Sequence, residues 1–334
     1  MSQAPSLDTG VQQRLTALMA PIAGDLLIVD RRLRAELQND DPFVHELAQH
    51  SFRMSGKRLR PALLLLAARA VGDVNESHHT LAAVVEMIHT ATLVHDDVLD
   101  EAEVRRHVAT VNARWSNQTS VLLGDYLFTH AFYLASTLET TFGCRTIGRA
   151  TNIVCEGELR QTASSGDFWL SRDDYFAIVE AKTAELCACA CLLGAHYAGA
   201  DAALAAELES YGRELGVAFQ IADDLLDLEG DEQAAGKSLG TDLVNRKMTL
   251  PLITLRDRLD DAQRARLHGL FEEPTAESQA ALVDWLLASG ALQEARSEAA
   301  SIAAGAVARL DALPASPSKI ALAALGQFVV KREA

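Results

Sequence analysis

Between Pro61 and Pro251 the chain runs for 189 residues without a proline, and no other feature narrows the choice of fold as much. Proline breaks helices everywhere but in their first turn. A run this long, rich in Ala and Leu and punctuated by single glycines, predicts stacked long helices. Strand-like alternation bounded by turn dipeptides is scarce, which argues against a parallel sheet, and no repeat of about 20 to 50 residues is present. At 49% hydrophobic, the 334 residues can bury a large core. The expectation is an all-α chain forming a single domain over residues 1–334, with residues 1–10 flexible.

Local patterns place the helices. Residues 11–39 read as one amphipathic helix, carrying Leu15, Leu18, Met19, Ile22, Leu26, Leu27 and Leu33, with Pro21 as a kink or boundary. Ser55-Gly56-Lys57-Arg58-Leu59-Arg60-Pro61 is a glycine-opened basic loop, and Pro61 stands near the first turn of an apolar helix from Ala62 to Ala70. A helix N-terminus flanked by Lys and Arg suits a diphosphate, although a basic loop also suits plain solvent exposure. Thr110 to Ser120 reads as a loop at the mouth of a cavity, Leu122 to Leu138 as a long helix, and Asp173 to Gly194 as another that carries Lys182 and Thr183. Glycines from Gly230 to Gly240 predict a mobile loop, with Lys237, Arg246 and Lys247 as potential phosphate donors in and after it. From Pro251 onward the chain returns to Ala-rich helices and shows no recognisable chemistry.

Two acidic motifs stand inside this helical frame. The stretch from His89 to Asp100 is mostly apolar yet holds Asp96, Asp97 and Asp100. On a helical wheel His89, Asp96 and Asp100 share one narrow sector, while Val84, Ile88, Val94 and Val98 pack elsewhere. The same Asp-Asp-x-x-Asp spacing recurs at Asp223, Asp224 and Asp227, where Gln220, Asp223 and Asp227 share a face at i, i+3 and i+7. One such cluster alone reads as a solvated patch or a helix end. Two equal clusters, each in an apolar helix, predict a cavity lined by carboxylates, which repel one another unless cations or protons offset them. Hard oxygen ligands of this kind suit Mg²⁺.

Composition removes several other readings. A net charge of −16 disfavours an extended nucleic-acid-binding surface, so an anionic substrate must be met by local cations. Cys144, Cys155, Cys187, Cys189 and Cys191 give an odd count without paired CxxC spacing, which fits a reducing interior. Cys187-x-Cys189-x-Cys191 invites a metal reading, but a helix turns Cys189 away from the other two, and small core residues fit better. Residues 1–10 lack the basic start and apolar stretch of a signal peptide. No apolar run reaches the ~18 residues of an ordinary transmembrane helix. A cytoplasmic protein is expected, with peripheral membrane contact left open.

Two carboxylate triplets, several cationic clusters and apolar helices together suit a substrate with a diphosphate head and a hydrocarbon tail. A Gly-rich phosphate loop, a Ser-His-Asp arrangement and a cofactor fingerprint are missing. Ionising an allylic diphosphate needs none of them: metal ions and cationic side chains stabilise the departing diphosphate, and a dry cavity guards the carbocation. From the Gly-Lys-Arg-Leu-Arg-Pro loop to Lys247 the chain resembles the trans-isoprenyl diphosphate synthases, the polyprenyl synthetase family, with several motifs matching in order and spacing. The resemblance implies an all-α fold of about ten or more helices around a central cavity, a homodimer, and about three Mg²⁺ ions per active site. It also implies 1'-4 head-to-tail condensation of isopentenyl diphosphate onto an allylic diphosphate.

Carried over residue by residue, the resemblance makes Asp96 and Asp100 direct Mg²⁺ ligands with Asp97 supporting them, makes Asp223 the ligand from the second motif, and has Asp224 and Asp227 reach metal through water. Arg105, Lys182, Lys237 and Lys247 resemble the clamp on the allylic diphosphate. Thr183 and Gln220 resemble groups that aim oxygen dipoles at the developing cation, so that Lys182, Thr183 and Gln220 are both allylic contacts and catalytic groups. Lys57, Arg60, His89 and Arg106 resemble the isopentenyl diphosphate site, with the departed diphosphate as base; Arg58 ranks below them because the loop must also face solvent. Ala91 and Thr92 resemble the pocket floor beneath Asp96, where small side chains leave a tunnel open until Phe128 or Phe132 blocks it. The expected product is therefore a long-chain all-trans polyprenyl diphosphate in the hepta- to decaprenyl range. A short-chain farnesyl or geranylgeranyl diphosphate synthase, a class I terpene cyclase and a noncatalytic subunit are the alternatives. A cyclase typically alters the second aspartate motif and lacks the basic loop, and a noncatalytic subunit usually loses one motif; neither departure occurs here.

Overall fold

The computed structural model describes residues 16–53, 56, 58–229 and 240–330. Lys57, Lys237 and the first ten residues, expected to be flexible, lie outside the described residues. The all-α expectation holds: one two-stranded hairpin aside, the described residues form helices and the turns that join them. In chain order the helices are α1 (Ala23–Glu36), α2 (Pro42–Arg53), α3 (Leu59–Val71), α4 (Glu76–Leu99), α5 (Val111–Arg114), α6 (Asn117–Ser136), α7 (Phe142–Ala163) and α8 (Arg172–Val179). They continue with α9 (Glu185–Tyr197), α10 (Ala202–Glu229), α11 (Thr241–Val244), α12 (Leu250–Arg258), α13 (Asp261–Glu272), α14 (Ala276–Ser289), α15 (Ala291–Arg309) and α16 (Pro317–Val330). No described helix is long and apolar enough to cross a membrane. The chain divides into two compact units: Met1–Thr151, Leu186–Gly212 and Arg309–Ala324 form unit 1, and Asn152–Glu185, Arg213–Ala308 and Leu325–Ala334 form unit 2.

Unit 1 is organised by α4. The helix opens at a capping box in which the Asn75 carboxamide oxygen accepts from the Ser77 and His78 amides and His78 Nδ1 accepts from the Asn75 amide, satisfying donors that no helix can satisfy itself. Every residue from His78 to Ile88 is buried, so α4 is a central helix and not a surface one. It packs most extensively on α6, then on α3 and α1. Small residues let other pairs close up: a Cβ on Gly194 of α9 would fall 2.1 Å from the Leu64 carbonyl oxygen of α3. Cys187, Cys189 and Cys191 are buried on α9, and burial raises the Cys187 and Cys191 thiols, which fits neutral packing groups. None of the five cysteines forms a disulfide.

Two helix boundaries differ from the sequence expectation. Pro21 divides the expected 11–39 helix, because Ala20–Ile22 form a 3₁₀ turn with proline at its start and α1 begins at Ala23. The stretch from Thr110 to Ser120 is mostly helical instead of an open loop. Thr110 caps α5, and the Ser116 hydroxyl accepts from the Thr119 amide at 3.1 Å to start α6 five residues before Leu122. That Ser cap is a local signal the hydrophobic pattern had masked.

Unit 2 gathers Phe168, Tyr175, Val179, Val217, Ile221 and Leu225 with the inner faces of α12 to α15 in one apolar core. The last quarter of the chain therefore packs, as its composition suggests. The expected continuous helix from Asp173 to Gly194 is interrupted: Glu180–Ala184 form a π-helical turn that separates α8 from α9 and carries both Lys182 and Thr183. Such turns insert one residue into a helix and recur at functional sites.

Candidate active site

Both acidic motifs end their helices. Asp96 and Asp97 lie in the last turn of α4 with Asp100 as its C-cap, and Asp223, Asp224 and Asp227 lie in the final turns of α10. Neither helix has a basic residue in its last turn. A helix C-terminus carries negative partial charge and favours Lys or Arg; three carboxylates there oppose both the dipole and one another. Stability alone does not select that arrangement.

In unit 1 the chain leaves α4 into a hairpin that pairs Val104 with Ala109 and Arg105 with Val108. Its two turn residues, Arg106 and His107, have φ of 52° and 62°, the left-handed geometry a two-residue hairpin requires and one that ordinarily selects Asn or Gly. The hairpin swings Arg105 back onto α4, where its Nε donates to Asp97 Oδ1 at 2.8 Å. Asp97 is buried, so desolvation raises its carboxyl pKa while Arg105 pulls it down. Arg106 lies against the basic loop: a Cβ added to Gly56 would fall 2.3 Å from its guanidinium. His89 sits on α4 amid the charges of Arg60, Arg106, Arg105 and Arg58; desolvation first and these cations next hold its pKa well below the ordinary histidine value. His89 is thus held as a neutral imidazole by burial and by the positive charge of these guanidiniums. Arg60 Nε is enclosed with no hydrogen-bond partner among the described residues. The structure therefore brings together Arg60, His89, Arg105 and Arg106. Three guanidiniums near a neutral ring suit a polyanion.

In unit 2 the second motif is tied to the π turn. The Thr183 hydroxyl donates to Gln220 Oε1 at 2.8 Å, Gln220 Nε2 donates to Asp224 Oδ1 at 2.8 Å, and the Tyr175 hydroxyl donates to Asp224 Oδ2 at 2.6 Å. Burial first, then the nearby Asp242 carboxylate, pushes the Asp224 carboxyl up to about 8. Asp227 accepts from the Thr241 hydroxyl and the Asp242 amide, both at 3.0 Å, and so anchors the chain that returns at Gly240. Lys182 pairs with Glu158 at 2.7 Å, and Lys247 Nζ stands 3.6 Å from Asp242. Tyr175 and Glu158 carry no local sequence signal, because each acts on a residue distant in the chain.

Two glycines set the π turn. A Cβ on Gly157 of α7 would fall 2.7 Å from the Lys182 amide nitrogen, and one on Gly216 of α10 would fall 2.5 Å from Ala184 Cα. Backbone cannot swing aside as a flexible side chain can. Gly216→Ala is expected to lower stability by about 1–3 kcal/mol and, by displacing Thr183, to lower kcat about tenfold. Thermal unfolding alongside turnover checks this; a folded variant with wild-type kcat refutes it.

The chemistry of the donor set fits a hard divalent cation. Its members are carboxylate oxygens, and Asp97 Oδ2 is buried without a hydrogen-bond partner. Among the described residues no three Asp, Glu, His or Cys side chains form a ready-made metal cage. Mg²⁺ does not need one, since it takes one or two carboxylates and completes its shell with water and phosphate oxygens.

At the expected floor, Ala91 is fully buried and belongs to a cluster with Val94, Leu123 and Leu127, against which Phe128 packs. Phe128 stacks on His95 with ring centroids 5.8 Å apart. Phe132 instead faces α7, its Cε1 3.7 Å from where a Gly148 Cβ would lie. The Thr92 hydroxyl donates to the His89 carbonyl oxygen at 2.8 Å. Of the two candidate blocking rings, Phe128 is the one that shares a cluster with Ala91.

Comparison with known proteins fits these features. Residues 41–287 match the sequence profile of the family described as Polyprenyl synthetase. The octaprenyl diphosphate synthase of Escherichia coli (strain K12) is 35% identical over 312 residues, covering 93% of this chain and 97% of that one. The nonaprenyl diphosphate synthase of Mycobacterium tuberculosis (strain ATCC 25618 / H37Rv) is 35% identical, covering 97% of each. Among solved structures, a polyprenyl synthase from Caulobacter crescentus CB15 complexed with calcium and isoprenyl diphosphate superposes with a TM-score of 0.90 at 38% identity, covering 96% of this chain and 98% of that one. The chain belongs to the polyprenyl synthetase family and is a trans-prenyltransferase.

Proposed function

We propose that this enzyme joins isopentenyl diphosphate to an allylic diphosphate, 1'-4 and head to tail, and repeats the step to give an all-trans polyprenyl diphosphate of hepta- to decaprenyl length. The observation that carries this reading is the cluster of Arg60, Arg105 and Arg106 around neutral His89, on the same helix that ends in Asp96 and Asp97. The length assignment is supported by relatives named as octaprenyl and nonaprenyl diphosphate synthases. The family depends on a metal; Mg²⁺ is the ion proposed here, held by Asp96, Asp100 and Asp223 with Asp97, Asp224 and Asp227 supporting. A homodimer in the cytoplasm and one catalytic domain are proposed with it. A profile match that takes in residues of both units supports the single domain.

When bound, Mg²⁺ supplies positive charge that offsets the charge developing on the departing diphosphate. Lys182, Arg105, Lys237 and Lys247 hold that diphosphate as the C1–O bond of the allylic substrate breaks and the electron pair leaves with oxygen. The Thr183 and Gln220 oxygens face the allylic cation. Arg60, Arg106, Lys57 and His89 hold isopentenyl diphosphate so that its terminal alkene carbon bonds to C1. The proton then lost from its C2 passes to the departed diphosphate. His89 stays neutral and serves as a hydrogen-bonding group, not as a cation.

The test is the purified chain alone with Mg²⁺, labelled isopentenyl diphosphate and an allylic primer. Chromatography is expected to show a ladder ending in the hepta- to decaprenyl range; a cyclic hydrocarbon, or no product without a second protein, overturns the proposal. Substrate roles separate by kinetics. Arg60→Ala and His89→Ala are expected to raise the KM for isopentenyl diphosphate by about tenfold or more while barely moving that for the allylic substrate, and Lys182→Ala to do the reverse. Equal effects on both substrates would refute the partition.

A further inference from the structure

The basic loop holds one arginine whose position contradicts the use its motif suggests. Arg58 stands at the N-cap of α3 in the left-handed region, φ 53° and ψ 38°, a conformation that a residue with a long side chain adopts only when its surroundings impose it. Its Nη1 donates to Glu86 Oε1 at 2.7 Å and its Nε to Asp30 Oδ1 at 3.2 Å. The guanidinium carbon also lies 5.4 Å from the centroid of the Phe52 ring. One side chain thereby ties the start of α3 to α1, α2 and α4. Glu86 is 1% exposed and stands three residues before His89 on α4, hence on the same face one turn away. Such a carboxylate is tolerated only because a cation meets it. Solvent exposure, the reason Arg58 ranked low in the sequence, is thus not the reason: its side chain is only 20% exposed and two of its donors are held by carboxylates.

We propose that Arg58 is a positioning residue, a brace clamped by Glu86 and Asp30 that fixes the loop's left-handed turn and so aims Arg60 at the pocket formed with His89 and Arg106. The inference rests on the assignment of that pocket to isopentenyl diphosphate. Phosphate does not contact Arg58; it feels the brace through Arg60. A guanidinium fork suits this task because it bonds two carboxylates in fixed directions, which an ammonium cannot do.

Steady-state kinetics of the full chain test it. The variant Arg58→Met with Glu86→Met removes both charges and leaves neither buried alone, an exchange that folds tolerate. It is expected to raise the KM for isopentenyl diphosphate about tenfold and to leave the allylic KM within about twofold. Asp30→Asn, at a part-exposed carboxylate, keeps the protein folded whatever the double variant does, and is expected to raise the same KM about threefold. Arg58→Gly, made together with Glu86→Met so that no carboxylate is left buried alone, accepts the positive φ without strain, so a raised KM there assigns the effect to the side chain. Unfolding temperatures are measured in parallel: a lowered temperature with the isopentenyl diphosphate KM unmoved in Asp30→Asn and in Arg58→Gly with Glu86→Met overturns the proposal. Arg60→Ala distinguishes the two levels of failure. If it raises that KM while the brace variants do not, only the brace falls; if it too has no effect, the pocket assignment falls and takes the brace with it.

Discussion

Asp96→Asn and Asp223→Asn are each expected to lower turnover by about three or more orders of magnitude while leaving the protein folded. The substitution keeps shape and removes one negative oxygen. In the metal-free protein that removal is expected to relieve repulsion, because each aspartate stands beside two other acidic side chains on its helix. The unfolding temperature measured in a chelator is therefore expected to stay level or rise. Loss of activity with retained or increased stability separates a functional carboxylate from a structural one. Chelation of the wild-type enzyme is likewise expected to abolish turnover, and added Mg²⁺ to restore it. Either variant turning over within about tenfold of wild type would sink the two-cluster assignment.

Ala91→Phe is expected to shorten the product from the hepta- to decaprenyl range toward farnesyl diphosphate. Ala91 has no exposed surface and packs with Val94, Leu123 and Leu127, with Phe128 beside the same cluster. A ring at this position has to take space either from the packed cluster or from the growing hydrocarbon. Displacing packed side chains costs about 1–3 kcal/mol, whereas filling a channel costs folding little and blocks elongation. Product chromatography and thermal unfolding together decide between them. A shortened product with an almost unchanged unfolding temperature supports the channel. An unchanged product from a destabilised protein assigns Ala91 to the core, and a wild-type enzyme that stops at farnesyl diphosphate with excess isopentenyl diphosphate removes the argument altogether.

What could be read from the chain alone was whatever depends on local pattern. The proline-free run between Pro61 and Pro251 is helical wherever it is described, apart from one short hairpin and the turns between helices. The paired Asp-Asp-x-x-Asp spacings placed both acidic sets on apolar helices, whereas the i, i+3 face that grouped Gln220 with Asp223 did not foresee that the Gln220 amide donates to Asp224. Periodicity carries such information because side-chain direction along a helix follows from backbone geometry. It does not report where a helix stops, and only the structure put both acidic sets at C-terminal ends, where their charge is least welcome.

Tertiary structure alone decided which partner each charged group meets. Arg105 reaches Asp97 through a hairpin turn built from two non-glycine residues at positive φ, which propensity disfavours. Arg58 turns to Glu86 although its motif groups it with the phosphate-binding cations, and Tyr175 reaches Asp224 across 49 residues. The π turn that presents Thr183 depends on Gly157 and Gly216, glycines whose importance shows only when the opposing backbone is seen. Each of these features is disfavoured locally and persists because distant packing over-determines it. Residue spacing therefore identified the chemistry, while contacts between distant segments decided which carboxylates meet Arg58, Arg105 and Lys182.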